Sequence, residues 1–192
     1  MQRARPRAAV RPRGDGFPSP LSAALRRTRT PATDAVLIVT VASQTMDCLV
    51  RDAATRRHEP RWTIPISTSR FGIGQVMNSN RTPLGLHRIA EKIGEGMPLG
   101  TVFRARKPVG NLSAGMPDGG ICHRILWLEG LEPGLNQGGD VDSKRRYIYI
   151  HGFHDESTLG HPASLGCVHV AASDLIPLFD WVPQHTLVWI QE

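Results

Sequence analysis

No stretch of this chain is long and apolar enough to span a membrane. Its longest apolar run, Ala35 to Ser43, covers nine residues, against the roughly 20 that a spanning helix needs. Cysteine is scarce and odd in number; three in 192 residues exclude a disulfide framework. No internal repeat is present, which excludes a repeat architecture. A phosphate loop is also missing, because Phe71-Gly72-Ile73-Gly74 has only two glycines and no Lys-Ser/Thr after it. Metal-ligand spacing is lacking too. His151, His154, His161 and His169, with Cys167 and Asp155, fit no ligand pattern, so neither metal nor cofactor is expected.

Excess charge is absent from most of the chain. Residues 1–34 carry eight arginines (Arg3, Arg5, Arg7, Arg11, Arg13, Arg26, Arg27, Arg29) against Asp15 and Asp34, which accounts for the whole net charge of +6. Residues 35–192 are formally neutral, so that part has no electrostatic attraction for nucleic acid. The arm over 1–34 has Phe17 as its single aromatic and no periodic apolar face. It reads as a disordered tail, or as a contact for anionic surfaces such as nucleic acid or lipid headgroups.

What is present describes one domain over 35–192. Hydrophobic residues make up 40%, and 19 glycines with 15 prolines favour strands and turns over long helices. Arg26-Arg27 before the Ala35 run imitates an export signal. The run continues in near alternation from Gln44 to Val50, however, and reads as strand. Strands are expected at 36–42, 45–51, 60–67, 84–90, 121–128, 146–151 and 186–191. Pro108 to Gly120 reads as a flexible loop suited to be a lid. One helix is expected over 174–181, capped by Ser173, with Asp174 at its positive end and Pro177 in the first turn. The fold class is mainly β, a sandwich with one short helix.

The chemistry concentrates in two segments. Tyr147 to His151-Gly152 is a β-branched and aromatic run ending in histidine. Ser164-Leu165-Gly166-Cys167-Val168-His169 is a small-residue turn carrying cysteine. A thiol nucleophile needs an imidazole to take its proton and backbone N–H groups to hold an oxyanion. Cys167 is therefore the candidate nucleophile and His151 the candidate base and acid. The N–H groups of Leu165, Gly166 and Cys167 are candidate oxyanion donors. Gly152 would let substrate approach closely, with Ser164 alongside. His169 shares a face with Cys167 and is either a substitute base or brace, or a polar residue at the cleft rim. Cys48 reads as a core residue. Cys122 and His123 point to opposite faces of a strand.

This pattern resembles the L,D-transpeptidase catalytic domain, or YkuD-type, family. Its signature is a strand ending in His-Gly, a loop, then Ser-His-Gly-Cys, an apolar residue and Arg. His151-Gly152, Ser164, Gly166 and Cys167 match; Leu165 and His169 stand where the family has histidine and arginine. The resemblance extends upstream through Ser67-Thr68-Ser69, Thr82-Pro83-Leu84-Gly85, Leu86 to Gly94, Arg124 to Gly134 and Val141-Asp142-Ser143. It implies a YkuD-like β-sandwich, a monomer that acts without cofactor on peptidoglycan stem peptides, and a place in the cell envelope or periplasm. With no clear signal peptide, a cytoplasmic location stays open. The implied reaction is L,D-transpeptidation through a thioester acyl-enzyme, serving cell-wall organisation and cell shape in bacteria. L,D-carboxypeptidation at the same site, or a degenerate cell-wall-binding module, is the alternative.

Overall fold

Short β-branched and aromatic runs separated by Gly, Pro and Asn favour strands over helices, and strands dominate the structure. The computed structural model describes residues 15–116 and 120–192. Its strands are β1 (Ala35–Thr40), β2 (Thr45–Arg51), β3 (His58–Ser67), β4 (Gly85–Ile93), β5 (Thr101–Arg104), β6 (Lys107–Asn111), β7 (Ile121–Gly130), β8 (Tyr149–Phe153), β9 (Val168–Val170) and β10 (Leu187–Gln191), with helices α1 (Ser19–Thr28) and α2 (Ala172–Trp181). The strands form one sheet in the order β4-β10-β1-β2-β3-β9-β8-β7-β5-β6. β4 also pairs with β7, so the sheet curls onto itself, and the β5–β6 hairpin extends from β7. Most pairings are antiparallel; β1–β10 and β8–β9 are parallel. No helix among the described residues is long and apolar enough to cross a membrane.

The main core lies inside the curl. Leu37, Val39, Met46, Cys48, Ile64, Ile66, Leu126, Ile150 and Val168 meet there, with Leu175, Leu178 and Phe179 of α2 packed among them. Cys48 is a core residue, and burial pushes its thiol up to about 12.

α2 begins earlier than its sequence suggests. Ala171 is the N-cap and makes no side-chain cap. Instead the Glu156 carboxylate accepts the Ala172 N–H at 2.7 Å, placing negative charge at the positive end of the helix. Ser173 therefore sits inside the helix, and Pro177 is interior rather than in the first turn. Its missing N–H leaves the Ser173 carbonyl without the usual intrahelical donor.

Residues 15–34 differ most from expectation. Instead of a tail they contain α1, whose Leu21 and Ala24, with Phe17, pack on Val36, Ile38, Leu49, Leu86, Leu187 and Trp189. This second cluster lies on the outer side of β1. Covered on both faces, β1 has five consecutive buried residues, and that is why its sequence is continuously apolar. The segment is anchored by polar contacts as well. Asp15 accepts from the Phe17 N–H (3.1 Å) and the Ser22 hydroxyl (2.7 Å), and Arg27 pairs with the buried Glu132. Residues 1–14, the rest of the arm, lie outside the described residues.

Two further expectations are corrected. The start of the Pro108–Gly120 segment, to Asn111, belongs to β6, paired with β5 through a tight reversal at Ala105 and Arg106, both at positive φ (45° and 67°). Residues 117–119 of that segment lie outside the described residues. The strand read at 146–151 begins only at Tyr149, because Tyr147 closes a turn at φ 55° and is half exposed.

Phe17 is 1% exposed and anchors α1 on the sheet. Phe17→Ala is expected to lower the unfolding free energy by about 3 kcal/mol, measured by urea denaturation. A loss below about 0.5 kcal/mol would mean that the segment is a tail after all.

Candidate active site

The two segments singled out in the sequence meet through the parallel pairing of β8 and β9. Its register sets Ile150 opposite Val168 and His151 opposite His169. Cys167, one residue before β9, then falls level with Tyr149, two positions from His151. Cys167, His151, His169, Ser164 and Leu165 line one cavity of about 260 Å³, closed on its apolar side by Ile121, Phe153 and Ala163. The half-buried Cys167 also packs against the small cluster of Phe103, Ile125 and Tyr149.

The turn that carries Cys167 is held from several directions. Thr68 O accepts the N–H groups of Ala163 and Ser164, both at 2.9 Å. The Ser67 hydroxyl donates to the His161 carbonyl at 2.7 Å. Ser164 Oγ donates to the Cys167 carbonyl (2.6 Å) and accepts the Gly166 N–H (3.2 Å). The Thr82 hydroxyl donates to the Gly166 carbonyl (3.1 Å) and accepts the Ser69 N–H (3.0 Å). The Ser67-Thr68-Ser69 and Thr82 motifs thus act as scaffold for the turn. Gly166 is required by conformation, since its φ of 120° is strained for any residue with a Cβ.

Gly152 has a packing reason within the fold. A Cβ there would stand 2.4 Å from His123 Cδ2 and 2.7 Å from the Cys122 carbonyl. The close approach is made by neighbouring β7, where the chain bulges between Cys122 and Ile125.

His151 has a defined tautomer. Its Nδ1 lies 2.7 Å from the Gly152 carbonyl, and a carbonyl can only accept, so Nδ1 carries the proton and Nε2 keeps a lone pair. Nε2 has no hydrogen-bond partner among the described residues. Burial pushes the His151 pKa down to about 4, so the ring is neutral near pH 7. Cys167 Sγ donates to the Tyr147 carbonyl at 3.5 Å rather than to His151. Burial raises the thiol to about 11, against the favourable Tyr149 backbone and the charge of Arg146. No imidazolium is therefore present in this state to lower the thiol pKa. Thiol and imidazole are both neutral.

His169 is buried, stacked on Phe153 (4.4 Å, 13°) and edge-on to His151 at 4.8 Å. Its Nδ1 is buried without a hydrogen-bond partner among the described residues. Burial first, then His151 and His154, depress it to about 3. It is an uncharged wall of the cavity and offers no cation to a carboxylate. His154 and His161 stay in the polar loop, and no metal-binding cluster of three ligands forms among the described residues.

Sequence reasoning gave no role at the site to Arg106 or Arg146, nor to the Tyr147 carbonyl that Cys167 meets. Arg106 lies over the Trp127 ring at 4.5 Å and donates to the Tyr149 hydroxyl at 3.2 Å. Only the consecutive Arg145-Arg146 before an aromatic strand could have hinted at any of them.

Residues 34–190 match the YkuD family, described as the L,D-transpeptidase catalytic domain. No curated protein matches the chain. Among solved structures, L,D-transpeptidase 3 from Mycobacterium tuberculosis, in complex with a faropenem-derived adduct, is similar at 16% identity and a TM-score of 0.51. The alignment covers 83% of this chain and 60% of that one. Bd1075 of Bdellovibrio bacteriovorus is similar at 14% identity and a TM-score of 0.52, covering 83% of this chain and 48% of that one. This chain therefore spans less than two thirds of the length of either, and at such identity the likeness concerns the fold.

Two outcomes follow from the site's packing. Gly152→Ala is expected to cost about 1–3 kcal/mol in urea unfolding, because the Cys122 carbonyl is backbone and cannot step aside. The second concerns pH. His151, His169 and the buried His87, also near 4, bind protons more weakly folded than unfolded. Between about pH 6.5 and 4 the unfolded chain holds more protons, so stability rises with pH in that window and levels off above it. Each group contributes a slope of up to about 1.4 kcal/mol per pH unit. Urea unfolding at pH 5 and 7 measures it, and equal stabilities would show that these rings are solvated.

Proposed function

This chain belongs to the L,D-transpeptidase catalytic domain family, and from that premise we propose that it is a cysteine acyltransferase acting on peptidoglycan stem tetrapeptides in the cell envelope. The observation that carries the reading is Cys167 sharing a cavity with a His151 whose Nδ1 is tied to the Gly152 carbonyl and whose Nε2 is free.

Cys167 Sγ attacks the carbonyl carbon between the third and fourth stem residues. His151 Nε2 takes the thiol proton as the S–C bond forms, so the neutral pair becomes charged only in the transition state. The N–H groups of Leu165 and Cys167 are the candidate donors to the developing oxyanion. That of Gly166 is already engaged by Ser164 Oγ, so it is the weakest of the three candidates. Collapse breaks the C–N bond. The departing D-residue's amine takes the proton back from His151, leaving a thioester. An amine from a neighbouring stem then attacks the thioester, forming the cross-link and releasing the thiol.

The uncharged lining of Ile121, Phe153, Ala163 and Leu165, with a neutral His169, favours an uncharged part of the donor against this wall. A thiol near 11 and an imidazole near 4 make proton transfer during attack the natural route, rather than a preformed thiolate–imidazolium pair.

Purified protein and Cys167→Ala are incubated with a disaccharide–tetrapeptide and the products read by mass spectrometry. Cross-linked dimer that falls at least about 1,000-fold in the variant is expected. Tripeptide without dimer would make water the acceptor and the protein an L,D-carboxypeptidase. Folded protein giving neither product nor an acyl-enzyme mass would overturn catalysis and leave cell-wall binding.

A further inference from the structure

A cation reaches the nucleophile turn from outside the motif. Arg146 stands in the turn before β8. Its Nη1 donates to the carbonyls of Gly74 (3.2 Å) and Gln75 (2.8 Å), and its Nη2 donates to the Arg81 carbonyl (2.6 Å) and the Ser79 hydroxyl (3.4 Å). The planar fork of a guanidinium suits such divergent acceptors, and a single ammonium would not reach them all. The acceptors span a segment with no helix or strand of its own between Gly74 and Arg81.

That segment lies against the nucleophile turn. The Arg81 carbonyl stands 3.4 Å and the Asn80 carbonyl carbon 3.7 Å from where a Cβ on Gly166 would be. Thr82, next along, donates to the Gly166 carbonyl. On the other side, Tyr147, the neighbour of Arg146, offers its carbonyl to Cys167 Sγ. Arg146 therefore bridges both walls of the turn. All four of its partners are neutral, and no carboxylate pairs with it among the described residues. Its charge is left uncompensated beside a site where negative charge must form.

We infer that Arg146 is a positioning residue for Cys167, locking the Gly74–Thr82 segment against the Gly166–Cys167 turn and supplying the positive charge that favours the thiolate. The inference rests on reading Cys167 as the nucleophile. Arg146 and the Cys167 sulfur each favour the other's charged form. The other groups around the sulfur do not compete. His151 and His169 are held neutral by burial, burial raises Tyr149, and Arg106 is engaged by the Tyr149 hydroxyl.

The test is the rate of Cys167 alkylation by iodoacetamide, read by peptide mass spectrometry so that Cys48 and Cys122 do not interfere. It needs no turnover, so its failure is separate from failure of the proposed activity. With Arg146→Met the rate at pH 8.5 is expected to fall about tenfold, equal to one unit in thiol pKa, and the whole pH–rate curve to shift upward. Arg146→Lys keeps the charge but not the fork and is expected to alkylate at a rate between those of the natural protein and Arg146→Met. A folded Arg146→Met that alkylates at the natural rate would overturn the inference, even if its melting temperature dropped. If Arg146→Met does not fold, Arg146→Gln, which keeps N–H donors for the same carbonyls without the charge, decides. Its alkylation rate at pH 8.5 is expected to fall about tenfold, and a folded Arg146→Gln that alkylates at the natural rate would overturn the inference.

Discussion

The parallel pairing of β8 with β9 is the constraint on which the site depends. Parallel neighbours cannot be joined by a tight turn, so residues 154–167 must cross back before β9 can start. This crossover delivers Cys167 to the start of β9, level with Tyr149 and two positions from His151, whose own partner in the register is His169. A shift of one residue would turn His151 to the other face of the sheet. The crossover has little regular structure of its own, and its geometry comes from the hydroxyls and carbonyls of Ser67, Thr68 and Thr82.

Burial gives the site its electrostatic character. The same apolar packing that fixes His151 and Cys167 removes water from both, which penalises either ion. A neutral thiol and a neutral imidazole result, poised to exchange one proton rather than already ionised. In the proposed reaction the cost of charge separation would fall on the transition state, where backbone N–H groups and nearby cations would have most effect. Two buried polar groups away from the site are satisfied by hydrogen bonds. His87 lies between the Gly85 carbonyl and the Ser143 hydroxyl, and Glu132 accepts the Leu86 N–H as well as Arg27.

Local pattern and tertiary context divide along recognisable lines. Alternation at 45–51 and the β-branched runs at 35–40 and 121–130 were legible because each strand's own residues carry the period. α1 was not legible. Its apolar contacts are only Phe17, Leu21, Ala24 and the partly buried Leu25 amid arginines, and its stability comes from the outer face of β1, not from propensity. The unbroken apolar stretch of β1 was the indirect sign that something covers both faces. The α2 boundary was missed because its capping carboxylate, Glu156, lies sixteen residues before the N–H that it accepts. The β5–β6 hairpin was hidden in a Gly- and Pro-rich segment whose strand character depends on pairing with β7.

The sequence by itself determined which groups could do chemistry here: one thiol in a small-residue turn, one histidine at a strand end, and the Ser, Thr and Gly residues around them. Those choices are local, since nucleophilicity and backbone freedom belong to the residue. Tertiary structure alone decided their state and company. Burial is a property of the packed fold, so the thiol's rise and the imidazole's fall could not be read from residue types. The placing of Gly152 against His123, the uncharged role of His169 and the bridging position of Arg146 likewise arise from contacts between segments far apart in the chain.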